Sequence, residues 1–311
     1  MSQPLKTTVA VLDELCVNQR ALKRALAVIR LNQARHAESS SLLAAVLTVA
    51  GEGAAAPSEQ ALAAAKAELE SFLQQHCPGV NCQAHAVPAA DAGRALNALC
   101  KHLEASLIIK AADPHGALIK LVRPPLDLQL MRHAPAPLLV AGHEEWTEGG
   151  IIAVAVDFAA EGEQSHALNL RLLRQAQRFS MATGAQIHLL QALTPVFKSR
   201  VYALDGYAER YDGHEQEALR LQELIKRQLR FAAAHGLSAE RCHVQEGRPD
   251  EVIPALCAAL KPTLLLLGTR ARKAFKAALW GNVCERVLDG LSCDVAVLTP
   301  KSVAREADAL H

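Results

Sequence analysis

Short, almost uninterrupted apolar runs alternate along the chain with longer stretches whose apolar positions recur every three or four residues. The first kind reads as strands buried on both faces, as in a parallel sheet, and the second as the helices that cover them. Strands are predicted near 7–12, 42–50, 82–87, 106–111 and 137–141, with helices near 18–36, 58–75, 91–103 and 126–132. The alternation then starts again. Strands follow near 151–156, 185–192, 241–245, 263–267 and 294–298, and helices near 164–182, 214–235, 249–260 and 282–291.

The two halves share more than this rhythm. Each opens on a run ending in aspartate, Val9–Asp13 and Ile151–Asp157. At an offset of 157, Leu96–Leu103 lies over Ile253–Leu260, Leu107–Lys110 over Leu264–Leu267, and Leu138–Val140 over Val295–Val297. The same elements in the same order at one offset indicate a tandem duplication. The expected fold class is therefore α/β, with two tandem, doubly wound, five-stranded parallel-sheet domains. Their boundaries fall at 1–142 and 151–302, with a linker over 143–150 and a tail over 303–311.

An open sheet of this kind binds ligands at the carboxyl ends of its strands, near the point where strand order reverses. Asp157 follows the first strand of the second half and Gly268 ends its fourth, so both face one crevice. Beyond Gly268 come Thr269-Arg270-Ala271-Arg272-Lys273, and then Gly281-Asn282-Val283 opens a helical pattern. Glycines at the two ends of a basic loop allow the main chain to approach an anion, which a helix N-terminus also favours. The competing readings stay open at this stage: Asp157 as a helix or turn cap, Gly268 as a turn glycine, Arg270 and Arg272 as solvated charges.

Composition narrows the function classes. Of 311 residues half are hydrophobic and 21% charged, and the net charge of +1 is no footprint for nucleic acid. No apolar run approaches the roughly 20 residues of a membrane span, and the N-terminus lacks the pattern of a signal peptide. The eight cysteines follow no disulfide spacing, so reduced thiols in a cytoplasmic protein are expected. His76, Cys77, Cys82 and His85 bring metal-ligand residue types close together, but without a distant second pair. A Pro78-Gly79 turn entering a strand is the preferred reading over a metal site. No serine elbow, HExxH or paired-carboxylate arrangement is present, so no enzyme is indicated.

The combination resembles the universal stress protein family in its tandem two-domain form. The resemblance rests on the aspartate after the first strand, Gly247-Arg248-Pro249, and Leu267-Gly268-Thr269. The family's nucleotide motif is glycine, two residues, glycine, nine residues, glycine and a small hydroxyl residue. Here it is matched by Gly268, Ala271, Gly281 and Asn282. Ala271 replaces the second glycine and Asn282 the hydroxyl residue. The resemblance implies a Rossmann-like fold of the adenine nucleotide alpha hydrolase type, and ATP or a related nucleotide with Mg²⁺ in the second domain. It places Asp157 and Phe158 beside adenine or ribose and Ala192 and Leu193 along the base. Leu267, Gly268, Arg270, Ala271, Arg272, Gly281, Asn282 and Val283 would surround the phosphates. A β-branched residue at Gly268 is then expected to abolish nucleotide affinity and leave folding largely intact.

The first half departs further. Its loop reads Ala111-Ala112-Asp113-Pro114-His115-Gly116, and Pro124-Pro125 stands near the match to Gly281. Proline offers no N–H and Asp113 repels a phosphate, so ordinary nucleotide binding is not expected there. The long connection 194–213 holds Phe197, Tyr202, Tyr207 and Tyr211 and can act as a lid. By the same resemblance, the two domains pair through their fifth strands and the chain can form a homodimer. Its role is regulatory, read by an unknown protein partner, with weak ATPase activity left open. The alternative is a scaffold, or a carrier of a small apolar or amphiphilic ligand, that no longer uses nucleotide.

Overall fold

The computed structural model describes residues 6–35, 41–51, 56–112, 126–142, 149–159, 162–194, 213–268, 291 and 293–298. In the first half β1 (Thr7–Leu12), α1 (Arg20–Arg35), β2 (Leu42–Val49), α2 (Glu59–His76) and β3 (Asn81–Pro88) come first. They are followed by α3 (Ala92–His102), β4 (Leu107–Ala111), α4 (Leu126–His133) and β5 (Leu138–Ala141). In the second half β6 (Ile151–Ala155), α5 (Glu163–Thr183), β7 (Gln186–Leu193) and α6 (Gly213–Ala234) lead to β8 (Cys242–Glu246). The last elements are α7 (Pro249–Leu260), β9 (Leu264–Gly268) and β10 (Asp294–Leu298). Every predicted strand is present, and each described helix starts and ends close to its predicted limits. The predicted helix 282–291 lies outside the described residues, apart from Leu291 at its end.

Local chemistry sets several of these limits. Ser58 caps α2, its side chain accepting from the Ala61 N–H at 3.1 Å. Gly184 ends α5 in the left-handed region at φ 69°. Pro249 occupies the first position of α7, where its missing N–H costs no helical hydrogen bond.

The ten strands form one sheet in the order β3-β2-β1-β4-β5-β10-β9-β6-β7-β8. Neighbours within each half are parallel. The halves meet through β5 and β10, which run antiparallel with Val140 opposite Val295, Leu139 opposite Ala296 and Leu138 opposite Val297. The expected fifth-strand pairing is thus built inside one chain, and it covers two strand edges that would otherwise be exposed.

Alternate residues of each strand face opposite layers. Ala10, Leu43, Ile109, Leu139, Ile152, Leu189, Leu266 and Ala296 belong to one apolar core under α1, α2 and α5, which runs through both halves. The reverse face is closed by α3 and α4 in the first half, over Val9, Ile108 and Val140. In the second half α7 closes it, placing Ile253 and Cys257 over Ala153, Leu190 and Leu265.

Candidate functional site

Three strand ends converge in the second half. β6 lies between β9 and β7, and the chain reverses its direction of travel across the sheet at β6. Asp157, just past β6, and Gly268, the last residue of β9, therefore flank the switch point from adjacent strands. The end of β7 stands on the other side of β6 and brings Gln191, Ala192 and Leu193 to the same margin of the sheet.

Asp157 is exposed, and its position is fixed by α5. The Asn169 side chain accepts from the Asp157 N–H at 3.1 Å and donates to the Asp157 carbonyl at 3.0 Å. The carboxylate Oδ1 accepts from the Ala159 N–H at 3.0 Å, closing a tight turn. The capping role weighed from sequence is therefore real. It also holds the carboxylate in one orientation at the mouth of the crevice.

Gly268 has a packing reason as well. A Cβ there would lie 2.7 Å from Leu168 Cδ2 and 2.9 Å from its Cγ, so any side chain at 268 requires Leu168 to give way. A β-branched residue at 268, expected to leave folding largely intact, would require the Leu168 side chain to shift.

Phe158 is half-buried, its ring 5.2 Å from Phe231 of α6 at an interplanar angle of 61°. Its ring is thus held by packing and does not stand free. Leu193 is buried, and its carbonyl accepts from the Gly247 N–H at 2.8 Å. Gly247 has φ 142°, and a Cβ on it would meet Val252 at 2.8 Å, which accounts for glycine before Arg248-Pro249. Arg248 holds Asp250 through two 3.0 Å hydrogen bonds, which push the guanidinium pKa upward. Ala192 and Leu267 are half-buried at their strand ends. Arg270, Ala271, Arg272, Gly281, Asn282 and Val283 lie outside the described residues, as do most of 194–213 and all four of its aromatic rings.

The sequence reading missed two features. Gln191 is fully buried, and neither its amide nitrogen nor its oxygen has a hydrogen-bond partner. Nearby Gln228 of α6 is also fully buried; it donates to the Leu189 carbonyl at 3.1 Å and leaves its own oxygen unpartnered. Such groups cost about 1–3 kcal/mol each and call for an explanation. A glutamine near a strand end carries no signal of this in sequence.

The second feature is in the first half. Lys110 of β4 has a side chain only 1% exposed, with Nζ 3.0 Å from Asp13 Oδ2 and 3.3 Å from the Ala111 carbonyl. Thr48 donates to the Leu12 carbonyl at 3.3 Å and lies 3.4 Å from Asp13 Oδ1. Asp13 is the counterpart of Asp157, and at the repeat offset Lys110 is the counterpart of Leu267. The first crevice thus contains a lysine bound to its own aspartate where the second has leucine. The signal was present in the alignment of the halves, as a lysine within an apolar strand.

His76 packs its ring 4.5 Å from Phe72, and the Cys77–Val80 turn closes through a 3.2 Å hydrogen bond before β3 begins. The turn reading of this segment is the observed one. Among the described residues no group of three or more His, Cys, Asp or Glu is arranged to hold a metal ion. Nor is any described helix long and apolar enough to cross a membrane.

Comparisons with known proteins agree with this architecture. The profile of the universal stress protein family matches residues 150–299. Universal stress protein E of Escherichia coli K12 is 31% identical over 205 residues, covering 62% of this chain and 60% of that protein. The chain therefore matches under two thirds of the length of such relatives. The universal stress protein E homolog of Haemophilus influenzae is 26% identical over 310 residues, 95% of this chain and 97% of its own. Among solved structures, a functionally unknown protein from Pseudomonas aeruginosa PAO1 superposes with a TM-score of 0.71 at 25% identity, covering 98% and 96% of the two chains.

Proposed function

Since residues 150–299 match the universal stress protein family and a relative 26% identical spans 95% of the chain, we propose that it is a stress-response regulator of that family whose second domain binds ATP or a related adenine nucleotide. The observation that carries this reading is the convergence of Asp157, Gly268 and the end of β7 at one switch point. The Asp157 carboxylate, held by the Ala159 N–H, is an acceptor suited to a ribose hydroxyl. The sequence that follows Gly268 supplies Arg270, Arg272 and Lys273 for phosphate charge, and Mg²⁺ would accompany the nucleotide and offset the remaining charge. The buried, unpartnered Gln191 amide has the donor and acceptor a purine edge requires.

The first domain is proposed to be silent. Lys110 already satisfies the aspartate that would face a ribose, and its ammonium and stem take up room in the crevice. The regulator acts by binding and not by turnover: its nucleotide-bound state is read in the cytoplasm by a partner protein.

Calorimetric titration of nucleotide-stripped protein with ATP and Mg²⁺ tests the assignment. One site per chain, lost in an Asp157→Ala variant that keeps its circular dichroism spectrum, is the expected result. Absence of heat, and of competition by ATP analogues, would move the assignment to a scaffold or a carrier of an amphiphilic ligand.

A further inference from the structure

Cys77 and Cys82 lie at the opposite edge of the sheet from the nucleotide crevice. Cys77 follows the last turn of α2, its N–H bonded to the Leu73 carbonyl at 2.8 Å. Cys82 is the second residue of β3. The turn between them, with Gly79 at φ 76°, folds the chain back so that both cysteines come to the space between α2 and β3. Both thiols line a cavity of about 440 Å³ between α2 and β3, together with Lys66, Glu70, Gln74 and His85. The His85 Nε2 is buried without a hydrogen-bond partner, so it can bond a small polar molecule entering there. Two thiols on either side of one short turn, both lining a polar cavity, are the arrangement a two-electron oxidant converts to a disulfide.

We propose that Cys77 and Cys82 form a peroxide-reactive dithiol, with Cys77 the attacking sulfur and Cys82 the resolving one. The assignment of roles follows from the electrostatics. Interaction with the Cys82 thiol lowers the Cys77 pKa, and Arg30 adds to this against the effect of burial. The same interaction and burial push Cys82 up. The Cys77 sulfur attacks one peroxide oxygen and the O–O bond breaks. One oxygen stays on sulfur as sulfenic acid, and the other leaves as water with the thiol proton. The Cys82 sulfur then attacks the Cys77 sulfur. An S–S bond forms, the S–O bond breaks, and a second water leaves carrying the Cys82 proton. Two thiols lose two electrons and one peroxide becomes two waters.

The disulfide would join the end of α2 to the start of the edge strand β3. It leaves the second-domain crevice untouched, so the proposal stands apart from nucleotide binding.

The test is peptide mass spectrometry on the reduced full chain after stoichiometric hydrogen peroxide. A single tryptic peptide, residues 67–94, carries both cysteines. It is expected to lose two hydrogens and resist alkylation, and to regain both thiols with dithiothreitol. The control is Cys257, whose pKa burial pushes up to about 12; it should react more slowly by about tenfold or more. In Cys82→Ala, dimedone should trap a sulfenic acid at Cys77; in Cys77→Ala, Cys82 should remain a thiol. A 67–94 peptide that keeps both thiols while Cys16 or Cys257 oxidises would overturn the proposal. So would dimedone labelling of Cys82 in Cys77→Ala. The wild-type measurement decides the matter even where a variant fails to fold.

Discussion

Arg24 on α1 of the first half and Asp294 at the start of β10 of the second form a buried ion pair, Nε to Oδ2 2.6 Å, 270 residues apart in sequence. Their side chains are 11% and 1% exposed, and Asp294 Oδ1 also accepts from the Gly142 N–H at 2.9 Å. One carboxylate thus binds a helix of the other domain and the residue just after β5. Arg24→Leu leaves Asp294 buried with its charge no longer balanced by the guanidinium. We expect a loss of about 3 kcal/mol in urea denaturation. A change below a few tenths of that would show that the pair does not hold the halves together.

The Lys110–Asp13 pair should respond asymmetrically. Lys110→Met replaces a buried ammonium with an apolar side chain of similar length and leaves a carboxylate that is 48% exposed and can be solvated. Stability should change by less than about 1 kcal/mol. Asp13→Asn instead leaves the buried ammonium without its counterion and should cost about 3 kcal/mol. Equal effects in the two variants would contradict this account of the first crevice.

At Gly268 the packing and ligand roles can be separated. Gly268→Val alone should lose about 1–3 kcal/mol through collision with Leu168. Adding Leu168→Ala should restore part of that loss by giving the valine room. If the glycine is also needed for phosphate approach, the double variant regains stability without regaining ATP affinity; recovery of both would reduce the role of Gly268 to packing.

Gln191 offers a similar separation. Gln191→Met removes an unpartnered buried amide, so thermal stability should hold or rise by about 1 kcal/mol. If the amide reads the base, the variant loses preference for ATP over other nucleoside triphosphates. An unchanged preference in competition titration would remove Gln191 from the site.

Stability should fall in mild acid. Burial lowers the pKa values of His85, His188 and His243 from the usual 6.5. The neighbouring charges of His243 and Arg241 lower His188 further, and those of Lys66 and His102 lower His85. His188 and His243 stack with ring nitrogens 3.0 Å apart across β7 and β8. The folded state therefore binds fewer protons than the unfolded chain between the lowered values and 6.5. Its stability is fully present above about pH 7, declines as pH falls through 6.5, and levels off below the folded-state values. Melting temperatures between pH 7.5 and 5.5 should show this slope, and His243→Gln should flatten it.

The architecture was legible because its determinants are local or repeat. Runs such as Leu264–Leu267 announce buried strands without reference to anything distant, and the 157-residue offset supplies the duplication. Asp157 and Gly268 could be brought together because strand ends in this fold class face one crevice. The charged contacts could not be read in the same way. Lys110 meets Asp13 because β4 lies beside β1 with Lys110 next to Val11, a register set by the whole sheet. Arg24 finds Asp294 only after β5 and β10 have paired. The collision that Gly268 avoids depends on the approach of α5, and glycine itself does not reveal which neighbour requires it.

The antiparallel seam between β5 and β10 has a consequence for dilution. Two separate domains joined edge to edge would part as their concentration fell, and their joint properties would vary with abundance. Tethered in one chain, the same contact faces an effective concentration set by the connecting segment and is indifferent to expression level. The first half has a task under this arrangement whatever it binds: its last strand is the wall against which the second half completes its sheet.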